Sequence, residues 1–301
     1  MNNLRYLKYS QIDKVKWDHF IHMSCNEKVY AYSWYLDIVA CNWGGLIYND
    51  YELVFPVVFK NIFFLKNIYH PLFCQQLGPF GSKKHLLNQN ILSEILILLD
   101  QRYKNFVFSI NDFCVSEFKD IIDHNYLYIK YLDRVNLELD LNCNYSQIRD
   151  QYNSNTKRKL KSSVNTELVL QDVSLKEFMR FYKQNVHSKL NLNFLHYRRI
   201  YSLIQECLFR GKGRLLGLRD TDSNLFASAF FLFSSRTSIL LFNASDNSIQ
   251  KNGMTLLIDE YIQIYHMNIS LLDFEGSNIP GVRRFYQGFG AKEKNYIYII
   301  K

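Results

Sequence analysis

Asp273 and Glu275 stand two residues apart where the apolar run beginning at Leu271 ends. In a strand, alternate side chains share a face, so the two carboxylates point to one side and Phe274 to the other. A carboxylate pair partly screened from water can hold one member in the general-base range. Proton handling falls to these two residues or to Tyr286, which follows in a short segment entered by Pro280 and closed by Gly288. Each has a structural role that competes. One carboxylate can cap the following turn or pair with Arg283 or Arg284, and Tyr286 can pack with Val282 and Phe285 at helical spacing.

Two further stretches suit phosphate. Gln250-Lys251-Asn252-Gly253-Met254-Thr255 leads into a run whose Met254, Leu257, Ile258 and Tyr261 form a helical apolar stripe. Gly253 allows close backbone approach, and the N–H groups of a helix start attract an anion. Lys157, Arg158, Lys159 and Lys161 wind around a second helix and suit the phosphates of transfer RNA, CoA or a nucleotide-linked acceptor. The same run also suits a solvated face.

Metal chemistry is not expected. The eight histidines are dispersed, with only His19 and His22 at helical spacing, and the six cysteines contain no C-x-x-C pair. Buried thiols in a reducing cytosol account for the cysteines. No G-x-S-x-G, Walker or Rossmann pattern occurs. The net charge of +8 suits anionic partners or plain solubility. No apolar h-region opens the chain and charges interrupt every apolar run, so the expected location is cytoplasmic, with at most peripheral membrane contact.

The elements that must position these residues are legible as two mixed segments. In the first, Lys28–Trp43 reads as an aromatic-rich helix. Three strands follow, then a helix over 92–103, the strand 105–110, a helix around 116–124 and a strand over 126–132. In the second, 135–141 alternates as a half-buried strand, and a basic, helical stretch spans 145–163. A strand over 166–172 precedes a helix opened by Ser174 and Glu177, and another helix ends at Gly211. Three strands, the Gly253 helix, the strand 270–276, a short helix and a last strand close the chain. Consecutive strands followed by alternating helices and strands suit an α/β fold with a mixed, largely antiparallel sheet flanked by helices.

The second segment resembles the GNAT acyltransferase fold, and the whole chain resembles its FemAB-like branch. The resemblance rests on Asp273-Phe274-Glu275-Gly276-Ser277 followed by Phe285-Tyr286-Gln287-Gly288-Phe289-Gly290, and on the run Asn155 to Lys159 before the strand at 166–172. It implies two tandem GNAT-like domains, residues 1–135 and 136–301, with the donor site in the second. It also implies that Tyr286 is the general acid for the leaving group. Two features depart from the family: no heptad arm is visible, and Thr255 replaces the small last residue of the pyrophosphate loop.

The expected activity is acyl or aminoacyl transfer from an activated donor to an amine, without metal or covalent enzyme. Acyl-CoA is preferred to aminoacyl-tRNA as donor, and transfer RNA remains a candidate partner. DNA is not expected. The resemblance implies a bacterial protein of cell-wall (peptidoglycan) biogenesis, whose acceptor is a cell-envelope precursor held between the domains. Lys157, Arg158, Arg283 and Arg284 are expected to touch substrate. The alternative is a non-catalytic GNAT-fold binding protein for a surface-polymer precursor or nucleotide ligand.

Overall fold

The runs 126–132 and 135–141, read above as two strands, form one continuous strand, Lys130–Asp140. Only Asp133 and Arg134 lie between them, with no glycine, proline or asparagine to turn the chain. The computed structural model describes residues 3–62, 65–162, 168–186, 191–246, 252–276 and 278–301. Its division into two units falls inside this strand: Met1–Val135 with Lys294–Lys301, and Asn136–Glu293.

The first unit runs β1 (Leu4–Lys8), α1 (Lys14–Met23), α2 (Ser33–Val39), β2 (Asn42–Tyr48), β3 (Leu53–Ile62), β4 (Leu65–Ile68) and β5 (Phe80–Gly81). There follow α3 (Lys83–Leu86), α4 (Gln89–Arg102), β6 (Val107–Ile110), α5 (Val115–Asn125) and the start of the long strand, β7. Strands β1 to β4 form an antiparallel sheet in chain order, with β5 also paired to β3. The helix expected over Lys28–Trp43 is confined to α2. Asp18 sets its start by accepting from the Ser33 amide at 2.6 Å and the Ser33 hydroxyl at 2.9 Å. Trp43 joins β2 and donates its indole N–H to Asp37 at 2.9 Å.

Helix α4 buries Ile91, Leu92, Ile95, Leu96 and Leu99, one helical face, against a core that includes Phe55, Phe106 and Phe108. The final residues belong to this unit for a physical reason. Within β13 (Lys292–Ile300), Ile297–Ile300 pair antiparallel with β6, and Ile297 and Ile299 enter the same core.

His70 is half-buried beside Tyr298, with ring centroids 4.7 Å apart and its Nδ1 shielded from solvent. Burial, with a smaller contribution from the Arg134 charge, lowers its pKa to about 4. The folded state therefore refuses a proton that the unfolded chain accepts at about 6.5. Stability should be unaffected above pH 6.5 and decline as pH falls towards 4, by about 3 kcal/mol in all. Urea unfolding across that interval should show this slope, and His70→Phe should flatten it.

The second unit starts in β7 at Asn136 and continues through α6 (Tyr145–Asp150), α7 (Ser154–Ser162), β8 (Val169–Asp172), α8 (Leu175–Val186), α9 (Phe194–Phe209) and β9 (Gly213–Arg219). It ends with β10 (Leu225–Phe233), β11 (Thr237–Ser245), α10 (Gly253–Tyr265), β12 (Leu271–Asp273) and α11 (Pro280–Gln287). The basic stretch forms two helices rather than one. Asn153 interrupts it and caps the second, its side chain accepting from the Thr156 amide at 2.8 Å. Strand order is β7-β12-β11-β10-β9-β8, antiparallel throughout except for the β11–β12 pair, which is parallel with α10 as its crossover.

Helix α10 buries the predicted stripe Met254, Leu257, Ile258 and Tyr261 against Leu216, Ala227, Ala229, Phe231 and Leu240. Tyr261 stacks on Phe231 with centroids 3.6 Å apart and satisfies its hydroxyl by donating to Ser238 at 2.7 Å. On the opposite face of the sheet, Tyr182 of α8 packs edge-on against Phe242, itself beside Phe230.

Candidate functional site

A β-bulge in β11 decides which side chains reach the site. Phe230 lies opposite Phe242, yet the next residue, Phe231, lies opposite Leu240, leaving Leu241 without a cross-strand partner on β10. Before the bulge Ser238 and Leu240 face α10, and after it Phe242 faces α8. Asn243, opposite Ala229, is thereby turned back to the α10 side. Without the extra residue it would face α8.

Beyond the bulge, β11 and β12 part. Their parallel pairing covers only Thr237–Ile239 against Leu271–Asp273. From Leu240 to Ser245, β11 has ladder partners on β10 alone among the described residues. The edge of β11 beyond Ile239 is left facing the space that α11 approaches.

Tyr286 of α11 closes that approach. Its hydroxyl accepts a hydrogen bond from Asn243 Nδ2 at 3.3 Å, and its ring stacks on Phe274 at 4.5 Å. It is buried, and burial pushes its phenol up to about 12, with the Glu275 charge adding to the shift and the Asn243 hydrogen bond opposing it. A phenol in this state keeps its proton at every physiological pH.

The carboxylates are arranged differently from the strand pattern. β12 ends at Asp273, and Glu275 takes a left-handed conformation with φ of 47°, followed by Gly276 at 57°. Strand alternation therefore does not extend to Glu275. Asp273, 2% exposed, accepts the Glu275 amide hydrogen at 2.9 Å and so fixes the turn. Its neighbour across the ladder is Glu138 of β7. Because Leu137, Leu139 and Leu272 face α10, Asp273 and Glu138 share the other face, side by side. Buried Asn136, two residues before, lies on that face and donates to Glu138 at 3.4 Å.

Helix α10 begins at Gly253, and among the described residues no side chain caps its first turn. Asn252, at the capping position, instead donates to Ser162 at the end of α7, at 3.3 Å. Among the described residues the leading amides of α10 have no side-chain acceptor, as an anion site requires. Gly253 fits closely there, since a Cβ would sit 3.3 Å from the Phe226 carbonyl oxygen. Met254 and Thr255 are buried. Gln250, Lys251 and Ser277 lie outside the described residues.

The cations divide into tied and exposed groups. Thr156 and Leu160 bury one face of α7 and leave Lys157, Arg158 and Lys161 exposed. Lys157 donates to the Asp150 carbonyl at 2.9 Å and Arg158 to Asn155 at 3.0 Å, while Lys159 lies 5.6 Å over the Phe285 ring. Arg283 is paired with Glu293, and Arg284 is exposed. Helix α7 is held to α11 by close contact: a Cβ on Gly288 would lie 2.5 Å from the Thr156 hydroxyl. Gly290 supplies the left-handed turn at φ 83°.

Sequence reasoning missed Glu138, Asn243 and Asp259. The first looked like the solvent side of an alternating strand, and the second carried no signal before the bulge was known. Asp259 of α10 is 8% exposed and accepts from the Tyr145 hydroxyl at 3.0 and 2.9 Å. Burial raises its carboxyl, with the Tyr152 and Tyr145 hydroxyls opposing. The Tyr152 hydroxyl, also buried, makes no hydrogen bond of regular geometry. This cluster fastens α6 to α10. Among the described residues no group of histidines, cysteines and carboxylates is placed to hold a metal ion, and no helix is long and apolar enough to cross a membrane.

The architecture is an α/β fold of mixed, largely antiparallel sheet flanked by helices, the fold also seen in the solved structures of FemX and L-PGS. The chain is similar to the crystal structure of FemX, with a TM-score of 0.69 and 11% identity over 97% of this chain and 96% of that one. It is also similar to L-PGS from Bacillus licheniformis, with a TM-score of 0.59 and 10% identity over 95% and 91%. A conserved protein of unknown function from Bacteroides thetaiotaomicron gives 0.65 and 10% over 100% and 99%. No protein-family model matches the sequence, and no curated protein does.

Proposed function

We propose that the protein transfers an acyl or aminoacyl group from an activated donor to an amine acceptor of the cell-envelope precursor class. The observation that carries this reading is the parting of β11 from β12 beside Tyr286 and Asn243. A donor carbonyl laid where β11 and β12 part would lie beside the Asn243 side-chain amide, a hydrogen-bond donor able to stabilise the developing oxyanion. The amine nitrogen attacks the carbonyl carbon, and its proton passes to the Asp273–Glu138 pair, where a carboxylate beside a second carboxylate is suited to accept it. As the bond to the leaving group breaks, Tyr286 supplies the proton. The raised pKa keeps Tyr286 protonated in the resting protein, as a general acid must be. Lys157, Arg158 and Arg284 offer cationic contact to substrate phosphates.

Acyl-CoA is preferred to aminoacyl-tRNA because the uncapped start of α10 matches a pyrophosphate and the chain has no heptad arm for RNA. Titration calorimetry with CoA and with an aminoacyl-tRNA tests this directly. Micromolar CoA binding is expected, and failure of both ligands to bind would sink the transfer reading. A second reading, a binding protein without turnover, is favoured by the burial of Asp273 and Tyr286. It predicts donor or precursor binding with no product under any acceptor tried.

A further inference from the structure

Helix α9 is apolar on two sides. Ile200, Leu203, Ile204 and Cys207 face the unit's interior, as expected of a surface helix. The outward side carries Phe194 at 79% exposure, Leu195 at 59%, Tyr201 at 43%, Leu208 at 37% and Phe209 at 86%. At 100° per residue, Phe194, Tyr201 and Leu208 form one row, and Phe209 and Leu195 lie beside it. The row runs the length of the helix, about 24 Å at 1.5 Å per residue. A soluble surface seldom exposes two phenylalanines, two leucines and a tyrosine on a single helix face.

The polar residues among them indicate what covers the face. Arg198, exposed, lies between the aromatic row and Phe209, with the neutral Ser202 and Gln205 as its companions. The single acidic residue of the helix, Glu206, borders this face next to the line of Leu195. It is tied to Arg210 at 2.7 Å. We infer that the outward face of α9 docks on an anionic lipid surface, its aromatic and leucine side chains entering the headgroup boundary and Arg198 meeting lipid phosphate. Aromatic and aliphatic side chains with interspersed arginine are the composition of interfacial helices. A second copy of the chain fits less well. A two-fold pairing along this face would bring together two chains that each carry a net charge of +8. The inference does not depend on the proposed transfer activity, and its test uses no donor or acceptor.

The test is co-sedimentation of the full chain with vesicles of phosphatidylcholine alone and of phosphatidylcholine mixed with phosphatidylglycerol. Partition into the mixed vesicles is expected, weakening as salt rises from 0.1 M to 0.5 M (about threefold or more). Phe194→Ser combined with Phe209→Ser should lower partition about tenfold or more. Arg198→Gln should lower it about fivefold on the anionic vesicles and leave the residual binding to phosphatidylcholine unchanged. All three side chains are exposed, so circular dichroism should be unaltered. Equal partition of wild type and double variant would overturn the inference. So would the absence of any partition, or a dimer in sedimentation equilibrium that the double variant abolishes.

Discussion

Tyr286→Phe should lower the turnover of acyl transfer by about 10²–10⁴-fold, the usual contribution of a positioned general acid. The substitution removes one oxygen and keeps the ring stacked on Phe274 at 4.5 Å. Loss of the acceptor for Asn243 should cost only about 1 kcal/mol, because Asn243 is half-buried and water can replace the phenol. KM for the donor should therefore change little while kcat collapses. A merely structural tyrosine would give the reverse, a lower melting temperature with turnover preserved. The pH profile makes the same distinction. The phenol titrates at about 12 instead of 10, so Tyr286 predicts no alkaline fall in rate up to pH 10. Its raised pKa also means that its contribution to stability is complete below pH 10 and is lost between 10 and 12. Stopped-assay rates at saturating donor, from pH 6 to 10, check the first point, and urea unfolding from about pH 10 to 12 checks the second.

Gly253→Trp should weaken donor binding more than any surface change. Even a methyl group at this position would press within 3.3 Å of the Phe226 carbonyl oxygen, which already accepts from the Asp246 amide at 2.8 Å. An indole must leave towards the first turn of α10, where the uncapped amides are proposed to hold phosphate. Affinity for CoA should fall at least about a hundredfold, comparable to losing several charge-assisted hydrogen bonds. Gly253→Ala serves as the control for folding, since alanine favours helix and adds the least volume. Calorimetry on the two variants should show graded loss. Equal affinity in wild type and Gly253→Trp would move the donor site elsewhere.

Much of the fold was legible because periodicity reports burial. The stripe of α10 and the strand, turn and short helix at the carboxyl end were all visible from spacing alone. The site was less legible, because its neighbours are chosen by register and not by sequence distance. Asp273 and Glu275 look like a pair in the chain, yet the residue beside Asp273 is Glu138, brought there by antiparallel pairing of β12 with β7. Asn243 could be assigned a face only once the bulge at Leu241 was known, since one extra residue inverts the alternation of everything after it. Glu275 lost its strand geometry to a left-handed turn that Asp273 itself holds in place. Helix α2 is shorter than its aromatic pattern suggests because Asp18, fifteen residues earlier, caps Ser33.

The central claim is that the parted strands β11 and β12 and the phenol of Tyr286 form an acyl-transfer site. Mass spectrometry of an amine acceptor panel, incubated with the protein and either isotope-labelled acetyl-CoA or a labelled aminoacyl-tRNA, tests it most directly. Labelled amide should form with the wild type from one of the two donors, and fall by at least about a hundredfold with Tyr286→Phe. Labelled amide formed equally well by both proteins, or by neither with both donors bound, would contradict it.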